Sequence, residues 1–276
     1  MPWLIPSHQA PVLPLKLWKP AWFSGLALAL GTAAPDLVFI LRLDETGSPM
    51  SHTFLGQILI TMPLVVVLHV LATSLVFPWL LPRLPGGAPF HLHALACCRP
   101  AGDLLGLAKV ALSGLIGGLT HVTIDGFTHG DESGWALPLL PVLGTPLALP
   151  SGPLPLYEVL QGVLTIGLGV LALRAWGRMA PRLLPPAAGA EVRRRVHPAP
   201  LATRRVVAAA LSAAALVGAL LAPLAKGALE GQDGMKLAAY GAITACCAAA
   251  IAGALLDRAR GVLARIRLDV RIALEA

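Results

Sequence analysis

Five stretches of the chain, at about 54–81, 104–125, 156–176, 206–225 and 237–256, run almost free of charged side chains. A helix rises 1.5 Å per residue, so each is long enough to cross a bilayer core of roughly 30 Å. Hydrocarbon offers no water to the backbone, and single segments of this length satisfy their own N–H and C=O groups only as helices. A sixth apolar stretch, about 21–41, contains Pro35 and Asp36. The fold class that follows is all-α: a polytopic transmembrane helical bundle of about six spans. Ahead of them, "SHQAPVLPLKLWKP" is too short and too proline-broken for a full crossing, and reads as a half-buried or re-entrant helix.

Composition agrees. Residues are 56% hydrophobic and 13% charged, against about 25% charged in soluble domains. The formal charge of +7 does not point to nucleic acid, because the basic residues sit in loops between apolar stretches, where they set topology. The loop 174–205 holds Arg174, Arg178, Arg182, Arg193, Arg194, Arg195, Arg204 and Arg205, and the tail holds Arg258, Arg260, Arg265, Arg267 and Arg271. Both are expected in the cytoplasm. Counting back puts 82–103 inside and 42–53 and 126–155 outside. Three parts follow: 1–180, a membrane domain with the polar site; 181–205, a basic cytoplasmic loop; and 206–276, two further spans and a basic tail. Residues 16–34 imitate a signal peptide, but Pro35 directly after "TAA" disfavours cleavage.

Cysteine chemistry is not expected to build this fold. Cys97-Cys98 and Cys246-Cys247 are adjacent pairs, which bridge one another only with strain, and neither has zinc-site spacing. No P-loop, GxGxxG or GxSxG motif is present.

The informative polarity lies in "THVTIDGFTHG". Ionisable groups in a span cost about 2.5–3.5 kcal/mol each on insertion scales and usually have a task. His121 and Asp125, four apart, share one helix face and can ligate one ion. His129 is about 12 Å further along the axis than His121. Either the helix breaks at Gly126, or His129 serves a second ion, orients a ligand or meets substrate. Asp36 and His52 fall at the same outer level, and His8 joins them if the N-terminal segment re-enters from that side. A His/Asp set suits zinc, manganese or iron rather than a thiolate-seeking metal.

Other polar groups read more plainly. His69 belongs near the inner face as a hydrogen-bonded packing residue. His91, His93 and His197 read as solvated, as do Asp44, Glu45, Asp131 and Glu132. Tyr157 and Gln161 share a face near the site, and Glu158 lies between them.

"PSHQAPVLPL", "GTAAPDLVF", "SHTFLGQ", "LTHVTIDGFTHG" and "PLYEVLQ", in this order and spacing, resemble the bacterial membrane family catalogued as domain of unknown function 4184. The chain is more distantly similar to membrane-bound metal-dependent hydrolases. Those share an early histidine, a Pro-Asp ending a span, a histidine opening the next and a later HxxxD. That resemblance implies His8, Asp36, His52, His121 and Asp125 as ligands of a divalent ion, with His129 additional; His129 or Glu158 is expected as an acid/base or supporting group from its position. Leu37 stands where the wider family often has a second acid, which weighs against two metals. The expected function is a metal-dependent hydrolase of the bacterial inner membrane with an amphiphilic substrate, a lipid or polyprenyl phosphate or ester. The rival is a transporter or assembly factor using the same cluster for ions or protons.

Overall fold

The structure, a computed structural model, describes residues 7–40, 50–84, 95–96, 98–130, 133–149, 152–183, 199–225 and 231–275. The expectations for Asp44, Glu45, His91, His93, Cys97, Asp131, Glu132 and His197 lie outside them. A single 3-10 turn, Ser7–Gln9, leads into α1 (Leu13–Trp18) and α2 (Gly25–Ile40). A second turn, Met50–His52, precedes the helical run α3 (Phe54–Arg83). Then come α4 (Leu104–Thr128), a hairpin of β1 (Pro146–Leu149) and β2 (Gly152–Pro155), α5 (Leu156–Leu183), α6 (Leu201–Ala225) and α7 (Gly231–Glu275).

Five helices are long and apolar enough to cross a membrane: Phe54–Arg83, Leu104–Thr128, Leu156–Arg178, Leu201–Leu221 and Gly241–Arg265. The apolar part of α2, Gly25–Val38, is shorter. The architecture is an all-α helical bundle of membrane type. Two features depart from the expected spans. The segment before α5 forms an antiparallel hairpin, Pro146 facing Pro155 and Leu149 facing Gly152. The basic tail is not a separate element but continues α7, whose 45 residues reach about 67 Å, twice a bilayer core.

The described residues divide into two compact units, one from residues 1–70 and 100–183, the other from 71–99 and 184–276. In the first, α2 crosses α4 at glycines. A Cβ on Gly31 would strike the Gly114 carbonyl, and one on Gly117 the Leu28 carbonyl. Small residues let the two backbones touch, which is how membrane helices gain packing without a hydrophobic drive. Beside the crossing, Ala27, Ala34, Val65 and Val110 form a buried apolar cluster.

The N-terminal segment dips into this unit and returns. His8 lies beside Asp125, whereas the Ser24 amide donates to Ser113 Oγ at 2.9 Å. Ser113 and Asp125 are about 18 Å apart along α4. Lys16 Nζ closes the turn by donating to the carbonyls of Pro20 (2.7 Å) and Phe23 (2.9 Å). His69 is buried, its Nε2 3.3 Å from Ser24 Oγ.

In the second unit, α6 and α7 pack through small residues. A Cβ on Gly218 would meet the Gly241 carbonyl, and Cys246 Sγ donates to the Leu211 carbonyl at 3.3 Å. Trp79 covers Gly253, and Arg83 pairs with Asp257 at 3.0 Å. Cys246 and Cys247 form no disulfide.

Candidate metal centre

Asp36, His52, His121 and Asp125 are each positioned by local chemistry in their own segments. Asp36 follows Pro35 inside α2, where the missing N–H disturbs regular helix bonding. His52 ends a 3-10 turn fixed by Thr53, which caps α3 by accepting from the Gly56 amide at 3.0 Å and also donates to the Met50 carbonyl at 2.8 Å. His121 and Asp125 lie one turn apart on α4, aimed the same way.

Asp36, His52, His121 and Asp125 are all buried, and one donor atom from each lies within 4.8 Å of all the others. Five separations are closer. His52 Nε2 is 3.4 Å from Asp36 Oδ1 and 3.5 Å from Asp125 Oδ2. His121 Nε2 is 3.7 Å from Asp36 Oδ1 and 3.0 Å from Asp125 Oδ2. The two Nε2 atoms are 3.4 Å apart. Ligands held about 2.0–2.1 Å from a tetrahedral ion stand about 3.3 Å from one another. Five of the six separations among these donors are close to that value, and the sixth, between Asp36 and Asp125, is within 4.8 Å.

The surroundings prepare the donors. His121 Nδ1 is 2.8 Å from the Thr32 carbonyl. A carbonyl only accepts, so Nδ1 carries the hydrogen and Nε2 presents its lone pair to the centre. Ser51 Oγ sits 3.2 Å from His52 Nδ1, and Gln57 donates to the Ser51 carbonyl. Gln57 opens a π-helical stretch, Gln57–Thr61, a local widening common at functional sites. Asp36 Oδ1 and Asp125 Oδ1 are buried without a hydrogen bond. Two carboxylates buried this deeply need positive charge close by. A divalent ion would balance both, so the residues present fit one.

Protons are the competing source of charge. Burial pulls the His52 pKa down, but the Asp125 and Asp36 carboxylates outweigh it and hold the value at about 9. His8 goes the other way: burial, reinforced by His121, lowers it to about 4, so it is neutral at pH 7.

His8 stacks on His121 with ring centroids 4.4 Å apart. Its Nε2 is 3.7 Å from Asp125 Oδ1, whereas His52 and His121 approach Oδ2. It adjoins the centre and is not one of the four donors.

His129 also falls outside the four. Helix α4 does not break at Gly126 but runs to Thr128, and His129 is its C-cap. Gly126 is instead a seat for the Trp135 indole, which a Cβ would strike. Trp135 Nε1 donates to the Val122 carbonyl at 3.1 Å, and the Ala136 amide to the Gly126 carbonyl of the last turn at 3.1 Å. His129 Nδ1 lies 3.2 Å from the Asp125 carbonyl, hence carries hydrogen, and Nε2 accepts from Gln161 at 3.3 Å. Both ring nitrogens are engaged, and His129 holds Asp125 rather than an ion. Tyr157 packs on Gly130. Glu158 is exposed on the first turn of α5 and does not join the cluster.

Fold and site together define a multi-pass helical membrane protein with a buried His/Asp cluster able to hold a metal ion. The chain belongs to the DUF4184 family, described as a domain of unknown function, whose model matches residues 1–258. No curated protein and no solved structure matches it.

Proposed function

We propose that this protein is a metal-dependent hydrolase of the bacterial inner membrane. Its substrate is an amphiphile, a lipid or polyprenyl phosphate or ester, met at the outer face. The observation that carries the reading is the set of five donor separations, 3.0–3.7 Å, among Asp36, His52, His121 and Asp125. A buried set of two imidazoles and two carboxylates suits zinc, with manganese or iron as other occupants. When bound, the ion supplies Lewis acidity and a water of lowered pKa. The protein's own groups do the rest. His129 and Gln161 fix Asp125, Thr32 fixes the His121 ring, and Gln57 and Ser51 support the His52 turn. The positive-inside pattern supports the outer placement, since Arg174 and Arg178 lie in the half of α5 remote from the cluster.

The rival reading, ion or proton relay, needs a polar path through the bundle. One buried face of α3 carries Gln57, Thr61 and His69, but Val65, with no exposed surface, interrupts it. About 12 Å of axis separates Thr61 from His69. That interruption favours local chemistry over conduction.

The test is metal analysis of the full chain purified without chelators, together with turnover on a panel of lipid phosphates and lipid esters. One equivalent of transition metal, lost in His121→Ala and Asp125→Ala but kept in His69→Ala, supports the centre. A wild-type protein without metal under these conditions refutes it. A loaded protein inert on both substrate classes but conducting ions in liposomes refutes the hydrolase.

A further inference from the structure

Between Glu132 and Glu158 the sequence has no Asp, Glu, Lys, Arg or His. Its side chains nevertheless face outward. Leu139 is 71% exposed and Val142 60%, and Leu140, Leu147 and Leu154 are exposed with them. An exposed apolar patch of this kind marks an interaction surface. Both of its ends are fixed to membrane helices. The Ala136 amide donates to the Gly126 carbonyl of α4, and the Leu156 amide that opens α5 donates to the Thr145 carbonyl at 3.0 Å. The patch therefore lies at the Thr128 end of α4. Two turns into α5, the exposed apolar strip that holds Val163 and Ile166 begins. Glu158, exposed on the first turn of α5, needs water, so this level is the headgroup boundary and not the hydrocarbon core.

The backbone separates lipid from a protein partner. In an antiparallel ladder, bonded and non-bonded pairs alternate. Leu156 bonds Thr145, so 147–154 and 149–152 are the bonded pairs, and 146, 148, 153 and 155 turn their backbone groups outward. Three of these four are Pro146, Pro153 and Pro155, which have no N–H. Of the two edges, β2 thus has no outward donor and β1 only Ala148. A docking strand pairs with such donors, so the edges suit neither a partner's strand nor that of a second copy. The preceding turn is closed in the same way. The Leu139 and Leu140 amides donate to the Ala136 carbonyl, Leu143 to Leu140 and Thr145 to Val142. A loop in water has no need of this. Backbone that enters lipid does, because lipid offers an open N–H nothing. A two-stranded hairpin is also marginal in water without a surface to lie on.

We propose that residues 138–155 lie in the membrane leaflet at the Thr128 end of α4, as an apolar collar against lipid chains at the headgroup boundary. Trp135, which leads into the collar, sits on Gly126 next to Asp125, so the collar adjoins the candidate centre. It rests on the membrane class of the fold alone, not on an ion or a reaction.

The experiment uses the full chain with its four cysteines replaced by serine, reconstituted in phosphatidylethanolamine–phosphatidylglycerol liposomes. Nitroxides are attached singly at Leu139→Cys, Val142→Cys and Leu154→Cys. Val163→Cys on α5 gives the lipid reference. Gly102→Cys, exposed and in open space before α4, gives the aqueous one. Power saturation compares collisions with oxygen, which concentrates in lipid, and with a water-soluble nickel complex. We expect the oxygen-to-nickel ratio at the three collar positions to exceed that at Gly102→Cys about fivefold and to approach that at Val163→Cys. A ratio near that of Gly102→Cys at two or more of them overturns the proposal. So does shielding from both reagents, or line broadening that disappears on dilution with unlabelled chain, which would mean contact with a second copy. If the cysteine-free chain does not reconstitute, the wild-type chain decides. A phospholipid with a diazirine near the ester end of its chain should label residues 138–149, mapped by peptide mass spectrometry. Labelling of α5 without the collar would overturn the proposal.

Discussion

The unit holding α4 and the unit holding α6 and α7 are built from similarly apolar helices, yet they use their interiors differently. In the apolar window of Leu104–Thr128, 39% of residues are buried within the protein; in that of Leu201–Leu221, none are. Where burial is deep, it encloses polar groups: Asp36, His52, His121, Asp125 and the Gln57, Ser51 and Thr32 groups around them. Where it is shallow, the contacts are between glycines, alanines and a cysteine. Hydropathy identifies both as spans and separates neither. What marks the working unit is a cluster of buried ionisable groups, Asp36, His52, His121 and Asp125; on α6 and α7 the buried atoms without a hydrogen-bond partner are the scattered Arg204 Nε and Thr244 Oγ1.

Ways to break this contrast run from large to small. Asp125→Ala removes the one carboxylate that faces His8, His52, His121 and His129. We expect metal content to fall to background by mass spectrometric metal analysis, whereas Cys246→Ala in the other unit leaves it unchanged. Retention of metal in Asp125→Ala would remove the distinction between the units.

Next comes packing. Gly31→Val drives a side chain into the Gly114 carbonyl, and overpacking of this kind costs about 3 kcal/mol. It should lower both thermal stability and metal occupancy. Gly218→Val is an equal insult at Gly241 and should lower stability alone. Loss of metal in both variants would show that the centre depends on the whole chain.

Support without ligation should be milder. His129→Ala leaves four donors but frees Asp125, and outer partners of this kind are worth about 10–100-fold in metal affinity. Competition with a chromogenic chelator reads the change; no change would return His129 to the role of a capping residue only.

The smallest signal concerns protons. With a pKa near 9, the metal-free His52 is charged at pH 7. Its interaction with Asp36 and Asp125 stabilises the metal-free fold fully below about pH 6.5 and is lost as pH rises through about 9. An incoming ion must displace that proton. Titration calorimetry at pH 7 in two buffers of different ionisation enthalpy should show about one proton released per ion. Uptake without release would mean that His52 is not a ligand.

Much of the site was legible because its signals are local. The four-residue spacing of His121 and Asp125 is a helix-face argument, and Asp36 and His52 stand at the ends of apolar stretches. The supporting groups were not. Gln57 reads as an ordinary polar residue near a span terminus until the π-helical stretch turns it onto Ser51. Gly126 reads as a helix breaker, and its neighbour Trp135, nine residues later, decides otherwise. The two strands before α5 carry three prolines, Pro146, Pro153 and Pro155, which argue against strands in sequence but are tolerated in an isolated two-stranded edge. The helical tail of α7 was hidden because its arginines announce solvent, not secondary structure.

One measurement addresses the metal centre directly: X-ray absorption at the metal edge of the full chain loaded with one equivalent of zinc. We expect a shell of about four nitrogen and oxygen ligands near 2.0 Å, with the multiple-scattering pattern of two imidazoles. Losing one imidazole in His52→Ala and one in His121→Ala would identify both rings. Sulfur ligands, a shell without imidazole, or a spectrum unchanged in both variants would contradict a centre built from Asp36, His52, His121 and Asp125.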